Sequence, residues 1–179
     1  MSKLQQPWSV PVKVDDVPET GQRIKLSADE TARQAIAALA GLRTLPRLAA
    51  VFDLTRAGGE GLHVTGEISA TVGQSCVVTL DPIENEIVAN VDLVFAPSAE
   101  ANIDELSASG IGDGADGGPE ALVDGGVDLG ALATEFLLLG IDPYPRKPGV
   151  TFTASPMQEK GGGPFAALEM LKKSNENKR

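Results

Sequence analysis

The sequence predicts an α+β fold: an antiparallel β-sheet or small barrel-like core with two to three helices and a disordered acidic loop. Three observations carry this. From Arg47 to Ala96, apolar and polar residues alternate with period two between short turn-rich stretches. Strands joined that closely pair antiparallel, because parallel neighbours need a long crossover. Residues 28–40 and 129–139 space their apolar side chains at helical intervals instead. Pro97 to Gly126 holds few large apolar residues and much Gly, Ala, Ser and Asp, a composition that buries too little surface to offset chain entropy.

Trp8 to Val14 alternates briefly and predicts a half-buried strand, which Pro11 moves to a sheet edge. A second extended run, Gln22 to Leu26, leads into Ser27. Ser27 and Glu30 have the spacing of a capping box, so a helix over 28–40 is expected there, with Ile36 and Leu39 facing the core. Gly41 stops that helix and Pro46 forbids its continuation.

Leu48, Ala50, Phe52 and Leu54 share one face of the next strand. Residues 57–61 form a flexible turn, and Leu62, Val64, Gly66, Ile68 and Ala70 line the returning strand. Val72 to Leu80, which includes Cys76, continues that strand or follows a bulge at Gly73. Asp81 to Asn85 reads as a turn, and Ile87 to Phe95 as the next strand.

Asp128 suits an N-cap, followed by a stripe of Leu129, Leu132, Ala133, Phe136, Leu137 and Leu139. Pro143, Pro145 and Pro148 end this helix in an extended segment. A last short amphipathic helix over 164–173 has Pro164 in its first turn, with Lys172 and Lys173 opposing its dipole. Residues 1–97 thus form an N-terminal part and 98–126 a flexible acidic loop, while 127–179 supply a helix, a Pro-rich segment and a basic tail packing on the same domain.

The chain carries 25 acidic and 15 basic residues, a net charge of −10. That excess disfavours nonspecific duplex binding, which depends on Lys and Arg neutralising phosphates. The charge is segregated: Ser98 to Asp128 has eight acids and no base, whereas Tyr144 to Arg179 has seven bases and three acids. No apolar run reaches the roughly 18 residues of a membrane span. One cysteine and no export signal place the protein in a reducing cytoplasm.

Little in the sequence carries catalysis. A single Cys cannot build a tetrahedral metal site or close an internal disulfide. His63, the sole histidine, is expected on a strand adjacent to Cys76, so the one nucleophilic arrangement on offer is a Cys76–His63 dyad. No nucleophile elbow or oxyanion loop accompanies it, and a Cys in a Val-rich strand reads as a small core residue. Gly110 to Gly118 has neither the Lys of a phosphate loop nor the ligand spacing of a calcium loop. No catalytic residue, metal or cofactor is assigned. The terminal helix, with Phe165 and Leu168 on its apolar face, either docks on its own domain or folds on a partner.

Three motifs give the chain a resemblance to a known family. They are Cys76-Val77-Val78-Thr79-Leu80-Asp81-Pro82, then Val127 to Leu139 followed by Ile141-Asp142-Pro143-Tyr144-Pro145, then Gly163-Pro164-Phe165-Ala166-Ala167-Leu168. Together they resemble the YceD family, the large ribosomal RNA subunit accumulation proteins. The resemblance implies a non-enzymatic, cytoplasmic factor in large-subunit biogenesis, supporting accumulation or processing of ribosomal RNA. Implied partners are a large-subunit precursor, ribosomal RNA or a basic ribosomal protein, with no membrane and no small-molecule substrate. Many members carry Cys-x-x-Cys at the central turn and further cysteines near the Pro-rich segment, suggestive of metal. Here Thr79 takes the second position and 144–149 contains no Cys or His, so any such site is missing.

The binding residues expected on this basis are Cys76, Thr79, Asp81, Pro82, Pro143, Pro145, Arg146, Lys147, Pro164, Phe165, Leu168, Lys172 and Lys173. Charge segregation suggests that the 98–128 loop shields a basic ribosomal protein while the basic tail contacts RNA. Direct RNA binding by the sheet face is the alternative, weakened by sparse aromatics. A Cys76-dependent hydrolase is the third reading.

Overall fold

The computed structural model describes residues 6–58, 60–97 and 119–152. Three long strands dominate it: β3 (Thr44–Ala57), β4 (Gly61–Ser75) and β5 (Pro82–Ala96). They are preceded by β1 (Pro11–Lys13), a 3₁₀ turn at Val14–Asp16, β2 (Gln22–Ser27) and helix α1 (Glu30–Ala40). After them come β6 (Glu120–Ala121), β7 (Gly126–Asp128) and helix α2 (Leu129–Gly140). The main sheet has the order β2-β3-β4-β5-β6, while β1 and β7 pair as a separate ribbon. Pairing is antiparallel except between β5 and β6, where Phe95↔Glu120 and Ala96↔Ala121 run parallel.

Period-two patterning explains the layering. Leu48, Phe52 and Leu54 of β3 and Leu62, Val64, Ile68 and Val72 of β4 are almost wholly buried. They join Ile36 of α1 and Leu129, Leu132 and Leu137 of α2 in one apolar cluster. Both helices therefore cover the same face, and no described element covers the opposite face of the sheet. Of the two expected forms the sheet is found, and the barrel does not close. Its edge strands β2 and β6 never pair, because the helices already bury the apolar face that closure would have hidden.

Several expectations change at element ends. Ser27 is not the cap of α1: it stays in the ladder opposite Ala49. Asp29 caps instead, its carboxylate accepting the Ala32 N–H at 2.8 Å. Gly41 ends the helix in the left-handed conformation, as expected. Leu39 does not face the core. It is 63% exposed, because Ala32, Ile36 and Ala37 set the buried stripe and Leu39 falls on its flank. The irregularity near Gly73 lies across the ladder, in β3 between Thr44 and Arg47.

The Val-rich run 76–80 is not strand. β4 stops at Ser75, which pairs with Pro82, so 76–81 is the turn and the expected turn at 81–85 lies in β5. Part of the expected acidic loop is also structured. Residues 120–121 and 126–128 are strands, and Val123 and Gly126 exchange backbone hydrogen bonds. Residues 98–118 and the helix expected over 164–173 lie outside the described residues. Asp128 caps α2 as expected, accepting the Gly130 and Ala131 N–H groups. Leu139 leaves the stripe and is 75% exposed at the last turn.

Candidate functional site

The turn between β4 and β5 is closed from within. Cys76 N–H donates to the Asp81 carbonyl at 2.8 Å, Leu80 N–H to the Cys76 carbonyl at 2.9 Å, and Asp81 N–H to the Thr79 hydroxyl at 3.4 Å. Leu80 adopts a φ of 62°, the left-handed region that an apolar side chain rarely enters. It does so at a tip where its side chain is 74% exposed.

The segment after α2 is stitched to this turn. Val77 N–H donates to the Pro145 carbonyl at 2.9 Å, and Gln74 Nε2 to the Asp142 carbonyl at 2.8 Å. Lys147 bonds twice, through its N–H to Cys76 Sγ at 3.4 Å and through Nζ to Asp81 Oδ2 at 3.2 Å. Asp142 turns the chain by accepting the Tyr144 N–H at 2.8 Å. Arg43 braces the other side, donating to the Ser75 hydroxyl and, from its backbone, to the Gly73 carbonyl.

Cys76 is completely buried, yet its thiol titrates at about 6, down from 9.0. The Lys147 N–H contributes most, followed by the Thr79 hydroxyl and then its N–H; burial opposes these, and Val78 N–H adds to them. The Asp81 carboxyl is held below its ordinary value, chiefly by hydrogen bonding to the Lys147 ammonium and then to Thr79.

The structure thus brings together Cys76, Thr79, Asp81, Pro82, Pro143, Pro145, Arg146 and Lys147 at one end of the molecule. Within that group Cys76 and Pro145 are buried and the others exposed. Pro164, Phe165, Leu168, Lys172 and Lys173 lie outside the described residues. Sequence reasoning missed Gln74, Asp142 and Arg43, which join the two segments. Gln74 carried a readable signal: it is a polar residue on the inward register of Ile68, Ala70 and Val72, and it is buried. Missed too was an exposed apolar rim of Val77, Leu80 and Tyr144.

The Cys76–His63 dyad does not form, and Cys76 is buried, as the core reading expected. His63 lies on β4 itself, 13 positions before Cys76, so the two are roughly 40 Å apart along an extended chain. Its Nε2 instead meets Asp92 Oδ1 at 2.7 Å. A metal does not fit either. The 76–81 turn and the Pro-rich segment meet as two halves of a ligand shell would, but only Cys76 offers a soft ligand. Its sulfur already accepts the Lys147 amide, and no group of three His, Cys, Asp or Glu suited to a metal occurs among the described residues.

A model of the family described as large ribosomal RNA subunit accumulation protein YceD matches residues 64–172. No curated protein and no solved structure matches the chain. The matched range begins within β4 and takes in the turn, β5, α2 and the Pro-rich segment.

Proposed function

Because the chain belongs to the YceD family of large ribosomal RNA subunit accumulation proteins, we propose that it is a non-enzymatic factor in large-subunit biogenesis. It supports accumulation of the subunit's RNA by engaging a precursor particle through the end where the 76–81 turn meets residues 142–147. The observation that carries this is the stitching of two distant segments into one hydrogen-bonded surface. Such a surface presents Val77, Leu80 and Tyr144 beside Arg43, Arg146 and Lys147. Fixed apolar and aromatic anchors flanked by basic side chains suit a ribonucleoprotein contact.

The open sheet face is a poorer candidate for RNA. Among the described residues it has no Phe, Tyr or Trp, its His63 is bonded to Asp92, and Arg23 and Arg47 are already paired with Asp53 and Glu86. A hydrolase is disfavoured by the distance of His63 from Cys76. No helix among the described residues is long and apolar enough to cross a membrane.

Sedimentation of cell lysate through a sucrose gradient tests the proposal. The native protein is expected to travel with immature large-subunit particles at low salt and to leave them as salt rises. Tyr144→Ala and Arg146→Glu should shift it to the free fraction without lowering its melting temperature. Variants that co-migrate like wild type would refute this end as the contact.

A further inference from the structure

At the opposite end of the sheet from Cys76, β1, β7, the edge of β5–β6 and the start of α2 enclose a groove of about 1000 Å³. Its apolar wall is formed by Val12, Phe95, Val123, Val127, Ala131 and Leu132. Phe95, Val127 and Leu132 are nearly buried and make the floor, whereas Val123 stands 74% exposed at the lip. Val123 thus carries the apolar floor out to the surface with no described residue over it, and a contiguous apolar patch of that kind marks an interaction site.

The rim is acidic. Asp124 and Glu135 line the groove and are exposed. Glu120 lies on the adjoining β6, and Asp15 and Asp16 follow β1 directly, tied to the β6–β7 turn by the Val14 N–H to Gly125 carbonyl bond. Asp128 also lines it, but its carboxylate is taken up by Ser9, Val10, Gly130 and Ala131. The nearby bases are Lys13 and Arg56, and Arg56 spends its guanidinium on the Val17 and Asp15 carbonyls. Among the described residues, three carboxylates (Asp124, Asp128 and Glu135) therefore line the apolar trough against one ammonium, that of Lys13.

We infer that this groove binds a basic polypeptide segment, with apolar side chains on its floor and Lys or Arg on its rim. Charge complementarity selects the occupant: nucleic acid and acidic peptides are repelled by the rim that attracts a basic chain. The volume is at the upper end of small-molecule pockets, and the trough is half open to solvent, which leaves room for an extended chain to enter. The inference goes beyond the assembly-factor reading and does not depend on it, since the groove and the proposed particle contact lie at opposite ends of the strands.

Fluorescence anisotropy with the full-length protein tests it, using a labelled lysine–leucine repeat peptide as probe and a glutamate–leucine repeat as control. The lysine peptide is expected to bind saturably and to weaken with salt, while the glutamate peptide does not bind. Ala131→Trp, which fills the trough, and Val123→Ser with Glu135→Gln, which strip lip and rim, should each weaken binding about tenfold. Tyr144→Ala at the other end should leave it unchanged. Binding that survives both groove variants would overturn the proposal. So would a uridine oligonucleotide bound through the same residues, or a self-association lost in Val123→Ser. Binding that appears only after residues 98–118 are replaced by a glycine–serine spacer would assign the groove to the chain's own segment, and would equally overturn it.

Discussion

Cys76 shows how much one side chain can take from a neighbouring segment. Its thiol would ionise near 9.0 in an open chain and does so at about 6 in the fold, because donors from Lys147, Thr79 and Val78 stabilise the thiolate. The folded state therefore binds its proton less tightly than the unfolded state. Stability from this group is absent below pH 6, grows as pH rises from 6 to 9, and is complete above 9. Cys76→Ser removes it, so the gap in denaturant midpoint between wild type and variant should widen from pH 6 to pH 9. A gap that stays constant would show that the thiol contributes packing alone. Burial of Cys76 was legible in the sequence from its Val-rich setting. Its donors were not: Lys147 is 71 positions away, and no local pattern announces such a partner.

At the scale of elements, the long antiparallel strands were legible because period two is repeated over so many residues. Their ends were less so. Val77 and Val78 favour strand by composition, yet Ser75↔Pro82 closes the ladder before them. Ser27 had the spacing of a cap, but β2 retained it for pairing. Gly66 is the sharpest constraint within a strand. A Cβ there would collide with the Val51 carbonyl oxygen and come within 2.7 Å of the Phe52 ring. The approach is to backbone, which cannot rotate away. Gly66→Ala should therefore destabilise the protein by about 1–3 kcal/mol despite its better strand propensity, as overpacking does. Chemical denaturation measures this, and an unchanged midpoint would mean that β3 and β4 can separate locally at no cost.

For the whole molecule, β3 to β5 act as a spacer between two surfaces of opposite character. One end has apolar and basic side chains around the 76–81 turn, the other an apolar trough with an acidic rim. The strands set them at opposite ends of the sheet. The stretch of α2 and its following segment from Glu135 to Tyr144 spans at most about 22 Å between them, still beyond the roughly 7–10 Å within which changes couple directly. Combining Tyr144→Ala with Val123→Ser should thus give both single losses, of particle co-migration and of peptide binding. Neither should alter the other by more than about 0.5 kcal/mol. A larger interaction energy would mean that the sheet transmits a change from one end to the other.

The α+β class, the buried faces of the strands, the Asp128 cap and the family were determined by the sequence alone, because each rests on local periodicity, capping chemistry or contiguous motifs. The open sheet, the joining of the 76–81 turn to 142–147 and the acidic groove were decided only by the tertiary structure. Each depends on where distant segments meet. That is fixed by how two helices share the burial of one sheet face, a property of the packed whole that no window of sequence contains.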